Sequence, residues 1–232
     1  MPVAHHINFK KTDTPINTPT TKFGGQPVWV DTPAWPVSRT LEEPMQFIGQ
    51  IALDVLGLPD SYPQMAYIFM ADDEAVLDEP WAPDSGGNCV LLQPSTANPI
   101  VKTITIKTGP TLTEFEDVQG FLRKKRVAVP CEYEAQLLDA KDPDYCSPDD
   151  LLKLSDEIQE AHHGAALVNK IGGSPYFLQG EEFPPGGPDK WRLILQLDSA
   201  QIPFDVNFGD VGVGYAFISN DGSEARFLWQ CM

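Results

Sequence analysis

The chain has 232 residues, 42% hydrophobic and 21% charged, which is a composition typical of soluble globular proteins that fold without disulfides or a structural metal. Its formal net charge of −17 would repel phosphate backbones, so the composition argues against nucleic-acid binding. Such a charge either serves solubility alone or speeds the encounter with a basic partner. No stretch reaches the roughly 18 apolar residues that a membrane-spanning helix needs, and residues 1–21 lack the apolar core of a signal peptide. We therefore expect a cytoplasmic protein without membrane contact, whose four cysteines stay reduced.

Five short segments recur in the same order in the two halves of the chain. Residues 22–30, KFGGQPVWV, correspond to residues 170–178, KIGGSPYFL, 148 positions later. The other corresponding pairs are Trp35-Pro36 with Phe183-Pro184, 47–54 with 193–199, 67–70 with 215–218, and 89–93 with 226–230. This constant order predicts an internal duplication, with repeat one at 22–94 and repeat two at 170–231.

Each repeat is predicted to consist of antiparallel strands. The segments are short, rich in Val, Ile, Phe, Tyr and Trp, and bounded by Gly, Pro and Asp. In repeat two, Asp221-Gly222 predicts a hairpin, because glycine tolerates the positive φ of a tight turn. In repeat one a long acidic loop, 72–88, takes the place of that turn.

The residues between the repeats, 100–165, are predicted to form an acidic and partly helical middle. Thr113 followed by Glu116 has the pattern of a capping box, which predicts a helix over about 114–125. Strands are predicted on either side, at 103–107 and at 127–133.

A second helix is predicted to begin at Ser147-Pro148, because two aspartates follow at the positive end of the helix dipole. Its apolar stripe runs through Leu151, Leu154 and Ile158 and ends before Gly164. The predicted architecture is a single β-rich α+β domain at 22–232, preceded by a polar segment at 1–21. Two duplicated antiparallel units pack together in it, and two or three helices cover one side.

Both Gly-Gly-x-Pro turns follow a lysine, Lys22 or Lys170. They are not phosphate loops, since a P-loop carries its lysine after the glycines. As structural elements, the glycines indicate a tight turn packed against other backbone. As a binding site, the glycine amides and the two lysines would offer donors to an anionic ligand.

Four further residues are candidates for ligand binding. Gln50 and Gln196 interrupt apolar strands at corresponding positions, and a buried amide needs hydrogen-bond partners from either the protein or a ligand. Trp35 and Phe183 also correspond, and aromatic residues beside turns either pack in a core or line a groove.

No pattern in the sequence points to catalysis, a metal or a cofactor. There is no P-loop and no G-x-S-x-G motif. The histidines are adjacent pairs, His5-His6 and His162-His163, and lack the i, i+4 spacing that places two ligands on one helix face. The acidic run 72–74 differs from a calcium loop and is interpreted as a solvated loop.

Over roughly residues 20–232 the chain resembles the YwqG-like family. The resemblance rests on four motifs: K-[FI]-G-G-x-P, the W-P or F-P that follows, the apolar strand with Gln50 or Gln196, and the Y-x-F strand. This is a bacterial family of domains of unknown function. The resemblance implies a β-rich α+β fold with internal duplication and carries over no catalytic residue. It also implies an association with contact-dependent toxins, for which an immunity role has been suggested.

Two functions follow from these observations as hypotheses. The leading one is a non-enzymatic binding protein for a basic protein partner, since the net charge is −17 and acids are dense over 132–160. The alternative is a small-molecule or peptide binder, with or without enzymatic activity, whose cleft lies between the repeats and is lined by Trp35, Phe183, Gln50 and Gln196. A third is a scaffold subunit that associates through its sheet edges.

Overall fold

The computed structural model describes residues 4–72, 77–94, 100–119 and 124–232. Its regular elements comprise short strands, one 3₁₀ helix at Leu53–Leu56, and two α-helices, α1 (Pro148–Leu151) and α2 (Asp156–Ala166). The strands, in chain order, are β1 (Ala4–Lys11), β2 (Lys22–Gly24), β3 (Trp35–Pro36), β4 (Gln46–Ala52), β5 (Met65–Met70), β6 (Asn88–Gln93), β7 (Thr103–Ile104), β8 (Thr113–Gln119), β9 (Lys124–Pro130), β10 (Glu132–Ala140), β11 (Lys170–Gly172), β12 (Trp191–Asp198), β13 (Val213–Ser219) and β14 (Ala225–Gln230).

Ten strands form one antiparallel sheet in the order β14-β13-β12-β11-β1-β10-β2-β4-β5-β6. The sheet curls until its two edge strands, β6 and β14, come into contact. The loop that precedes β6 helps to hold this seam, because Asp84 Oδ1 accepts a hydrogen bond from Arg226 Nε at 2.6 Å. Trp229 N also donates to Trp81 O at 3.2 Å. The result is a nearly closed sheet.

The closed sheet encloses one central core and carries two outer hydrophobic clusters. Strand β5 shows the pattern: Ala66 and Ile68 face the central core, whereas Tyr67 and Phe69 face the first outer cluster. Side chains alternate between the two faces of a strand, so a strand buried on both faces is apolar throughout. The second outer cluster contains Phe177, Trp191, Leu193, Val213, Tyr215, Phe217 and Leu228.

The predicted α+β fold class, with two or three helices covering a duplicated unit, is wrong. The matched segments belong to one continuous, nearly closed ten-stranded sheet, and α1 and α2 are the only α-helices within the described residues. Neither helix covers the sheet, since Ala166 is their one buried residue. One face of the sheet packs in the central core, and the outer clusters cover parts of the other face. Between these clusters the outer face of β1 and β10 is largely polar and exposed, so it offers little apolar surface for a helix. The internal duplication itself stays a prediction from the sequence.

The helix predicted over 114–125 is also wrong, because these residues form a hairpin of β8 and β9 wherever they are described. Thr113 is a sheet residue and not a helix cap: its carbonyl accepts from Asp205 N at 2.8 Å. The Arg126 guanidinium lies 4.5 Å from the centre of the Phe115 ring, which links the two strands. Residues 120–123 lie outside the described ranges, as do 73–76 of the acidic loop.

The second predicted helix begins where expected. Asp150 N donates to Ser147 Oγ at 3.2 Å, so Ser147 caps α1. The helix is interrupted over 152–155 and resumes as α2. The predicted hairpin at Asp221-Gly222 is confirmed, and it joins β13 to β14.

The N-terminal strand β1 lies in the middle of the sheet, although the sequence predicts only a polar segment at 1–21. It pairs with β10 on one side and with β11 on the other, so Ala4 lies opposite both Ala140 and Gly172. Ile7 belongs to the central core, and Phe9 packs against it. Asn8, Lys10 and Lys11 are exposed, which is why the strand resembles a solvated segment in the sequence.

No helix in the described ranges is both long enough and apolar enough to cross a membrane. All four cysteines carry free thiols, as the sequence predicts. Burial raises the pKa of Cys89 to about 12 and that of Cys131 to about 12.

Candidate functional site

Lys170 is fully buried and is held by protein groups. Its Nζ donates to Asp142 Oδ1 at 2.7 Å and to Ala166 O at 3.1 Å, and the Asp142 side chain is also fully buried. Burial lowers the pKa of Lys170, and the Asp142 carboxylate opposes that shift. The second carboxylate oxygen accepts from Ser174 N at 2.6 Å. The lysine therefore ties the Gly-Gly turn to the chain that follows β10.

Lys22 makes the corresponding contacts at the other turn. Its Nζ donates to Glu132 Oε1 at 2.5 Å and to Ile16 O at 3.2 Å, and its side chain is almost fully buried. Burial lowers the pKa of Lys22, with Glu132 again opposing the shift. The sequence left open whether these lysines serve the fold or a ligand, and the structure places both in internal ion pairs.

The glycines that follow the lysines are required by close packing. Gly24 has a φ of 68°, and a Cβ there would lie 2.2 Å from Cys131 O. Gly173 has a φ of 77°, and a Cβ there would lie 2.4 Å from Asp142 Oδ2. These contacts support the structural interpretation of the Gly-Gly-x-Pro turns.

Gln50 and Gln196 each bridge backbone groups across a turn. Val28 N donates to Gln50 Oε1 at 2.8 Å, and Gln50 Nε2 donates to Thr20 O at 2.8 Å. Tyr176 N donates likewise to Gln196 Oε1 at 2.9 Å. Gln196 Nε2 donates to two carbonyls, those of Ala166 at 2.9 Å and Val168 at 3.0 Å. Each amide thus has its donor and its acceptor engaged within the protein.

Trp35 and Phe183 lie in different outer clusters. Trp35 is fully buried, and its Nε1 donates to Met45 O at 2.8 Å. Phe183 is half-buried and lines a cavity of about 500 Å³. The structure therefore does not bring the six candidates to one cleft: four strands separate Gln50 in β4 from Gln196 in β12, and of the six only Phe183 lines this cavity.

The stretch that contains α1 and α2, here called the helical segment 148–166, exposes three large apolar side chains. Leu152 is 72% exposed, Leu154 41% and Ile158 52%. Leu154 and Ile158 belong to the apolar stripe that the sequence predicts, but they point to solvent and not into a core. Leu151 of that stripe is half-buried, and Leu152 lies outside it. The same segment contains five acids, Asp149, Asp150, Asp156, Glu157 and Glu160, against one lysine.

The segment's negative charge is largely uncompensated. Its single lysine, Lys153, donates to Asp150 Oδ1 at 2.7 Å, and hydrogen bonds from Lys153 and Ser147 lower the pKa of Asp150. In the part of the chain that the structure describes, the other four acids of the segment form no ion pair. The acidic density over 132–160 was the sequence signal for this surface, but the exposure of its apolar residues depends on the fold.

Comparison with protein-family models matches residues 21–231 to a family described as a domain of unknown function, DUF1963. The match covers strands β2 to β14 and leaves out β1. Comparison with curated proteins found no match.

Proposed function

The chain belongs to the DUF1963 family, a domain of unknown function, and we propose that it is a non-enzymatic binding protein whose helical segment 148–166 recognises a basic protein partner. The observation that carries this proposal is the exposure of Leu152, Leu154 and Ile158 among five acids. Large apolar side chains grouped on an exposed surface are typical of interaction sites.

The charge and the apolar groups would serve different steps of binding. A net charge of −17 attracts a basic protein and speeds the encounter. Burial of the three apolar side chains would then slow dissociation, because each fully buried Leu or Ile side chain contributes roughly 1.5–3 kcal/mol. An apolar patch rimmed by acids therefore fits a partner surface with an apolar centre and lysines or arginines around it.

The resemblance to the YwqG-like family supports this proposal, because an immunity role against toxins has been suggested for that family. An immunity protein that meets a basic toxin in the cytoplasm would use an acidic surface of this kind. The proposal rests on the surface of this chain, and the resemblance adds a biological setting in which such a surface would act.

Two synthetic peptides of equal positive charge test the proposal, one alternating lysine with leucine and the other lysine with serine. We expect the leucine peptide to bind at least about tenfold more tightly in calorimetry, since about 1.4 kcal/mol of apolar burial gives that ratio. Raising the salt concentration should weaken the binding of both peptides, because exposed charges are screened.

The triple variant Leu152→Ser, Leu154→Ser and Ile158→Ser should lose the preference for the leucine peptide and keep its melting temperature. Leu138→Ser is the matched control, since Leu138 is 59% exposed on β10, outside the segment. Affinity that is indifferent to salt, or a triple variant that keeps the preference, would contradict the proposal.

A further inference from the structure

The groove beside the first Gly-Gly turn is filled by a piece of the chain itself, residues 109–112. The Gln26 side chain bonds both backbone groups of Gly109 in this piece. Its Nε2 donates to Gly109 O at 3.0 Å, and its Oε1 accepts from Gly109 N at 2.9 Å. Phe47 N at the start of β4 donates to Pro110 O at 2.8 Å. The piece is therefore an extra extended segment added beside β4.

Side chains complete the filled groove. Gly109 lies directly against the Trp35 indole, where an added Cβ would come within 2.8 Å of the ring. Gln46 Nε2 donates to Thr111 O at 3.3 Å, and Thr111 forms an isolated parallel bridge with Phe47. An aromatic floor, a side-chain amide and one strand N–H thus suffice to hold an extended peptide here.

A cavity of about 500 Å³ occupies the corresponding place beside the second Gly-Gly turn. Its lining includes Gly172 to Pro175 of that turn and Trp191 to Ile194 at the start of β12. Phe183, which corresponds to Trp35, lines it as well. Leu56 and Leu58, from the connection between β4 and β5, close another side.

The strand beside the cavity has the same geometry as the strand beside the filled groove. β4 has a register shift between Phe47 and Gly49, and β12 has one between Leu193 and Leu195. Leu193 lies opposite Phe217, as Phe47 lies opposite Phe69. Trp191 N donates to Pro188 O and so points away from β13. Because N–H groups alternate in direction along a strand, the N–H of Leu193, two residues later, also points away from β13 and toward the cavity.

We propose that this cavity binds an extended peptide of a partner protein, which lies parallel to β12 and accepts a hydrogen bond from Leu193 N–H. Such strand addition gives affinity through main-chain hydrogen bonds and specificity through side-chain pockets. The peptide residue that packs against Phe183 is small, just as Gly109 is small where it packs against Trp35. The proposal is independent of the helical segment 148–166 and could hold if that surface bound nothing.

The two grooves differ at one position that determines which peptide sequence the cavity prefers. Arg192 stands where β4 has Gln46, and its Nε donates to Asn220 Oδ1, a neutral partner, at 2.9 Å. The remaining guanidinium donors favour a carboxylate at the peptide position that corresponds to Thr111. The preferred ligand is therefore an extended peptide with a small residue followed, two positions later, by Asp or Glu.

The probes are two capped heptapeptides. One is KTGPTLT, the sequence of residues 107–113, and the other is KTGPELT, in which glutamate replaces the residue that corresponds to Thr111. They are titrated into the ¹⁵N-labelled full chain and followed by NMR. We expect saturable shifts of the Leu193 and Ser174 amides and tighter binding of KTGPELT. Phe183→Ala should weaken binding about tenfold or more, as truncation of a central aromatic contact does.

Arg192→Gln should remove the difference between the two peptides, and as an exposed position it leaves the fold intact. Gln46→Ala is the matched control, since it alters the filled groove and should leave both affinities unchanged. The proposal is overturned if the Leu193 amide does not shift with either peptide or if a scrambled peptide binds equally. Shifts confined to Gln26 and Phe47 would overturn it too, because they would place the peptide in the first groove.

Discussion

Lys170 and Asp142 form an ion pair in which neither side chain is exposed to solvent. A buried pair of this kind contributes little net stability when it is intact, because desolvation offsets the attraction between the charges. Removal of one partner leaves the other charge buried and uncompensated, which is far more costly. The pair thus acts mainly as a constraint on how the second Gly-Gly turn packs.

We expect Asp142→Asn to lower the free energy of unfolding by about 3–5 kcal/mol in urea denaturation at pH 7. The double variant Lys170→Met, Asp142→Leu should recover most of that loss, because no charge is then buried. A double variant no more stable than Asp142→Asn would contradict this account of the pair.

The same variant carries a pH dependence of definite sign. The pKa of Lys170 is lowered in the folded protein, so below its ordinary value of 10.5 the unfolded chain binds more protons than the folded one. Stability linked to this group therefore rises with pH in that window. Asp142→Asn removes the carboxylate that opposes this shift, so the pKa of Lys170 in the folded protein falls further. The pH range over which stability rises with pH therefore becomes wider. The stability of the variant relative to the wild type should accordingly increase between pH 7 and pH 9, and a constant difference would argue against a charged Lys170.

At the scale of elements, the hairpin β8–β9 shows what the sequence could not decide. The Thr113 and Glu116 pattern is a local helix signal, whereas the interactions that select the hairpin come from distant residues. Glu114 is bonded both to Lys11 on β1 and to the Tyr133 hydroxyl on β10. A two-stranded hairpin has little stability alone, so these anchors decide the outcome.

We expect Glu114→Ala to increase amide hydrogen exchange in β8 and β9 and to leave exchange in β5 and β13 unchanged. Glu116→Ala is the matched control: Glu116 also bonds Lys11, at 3.2 Å, but its side chain is 49% exposed. Equal effects of the two variants, or faster exchange throughout the sheet, would show that Glu114 does not anchor the hairpin.

Local signals located several elements correctly, but they failed where distant partners decide the structure, as in the hairpin β8–β9 and in strand β1. Apolar runs bounded by glycine and proline located β4, β5, β13 and β14, and Ser147 located α1. Strand β1 was missed because only Ile7 and Phe9 mark its buried face. For the candidate site, correspondence between the repeats identified Lys22 and Lys170 as positions of interest. Their partners Glu132 and Asp142 could not be recognised, because one lies 110 residues and the other 28 residues away in the chain.

At the scale of the whole molecule, the contact between β6 and β14 determines whether the sheet is closed. This seam lacks the backbone ladder that joins the other neighbouring strands. It is held by Asp84 with Arg226 and by Trp81, whose ring centre lies 5.9 Å from that of Trp229. Side chains of the loop before β6, with the backbone hydrogen bond from Trp229 N to Trp81 O, therefore hold the two edge strands together in place of strand pairing.

We expect Trp81→Ala to lower the free energy of unfolding by about 1–3 kcal/mol, as the loss of a partly buried aromatic contact does. Hydrogen exchange should rise in β6 and β14, whereas β1 and β10 at the centre of the sheet should be unaffected. Asp84→Asn removes the ion pair alone and should have a smaller effect. Faster exchange at the centre, with none at the seam, would contradict this description of the closure.

The central position of β1 also has a consequence for how the protein is made. On the ribosome, β1 is the earliest of the described strands to emerge, yet one of its edges has no partner until Ala140 is made and the other has none until Gly172 is made. Throughout that interval β1 presents at least one unpaired edge, and such edges readily associate with other chains. We therefore expect the nascent chain to depend on chaperones until β11 has been synthesised, with the sheet assembling only late in translation.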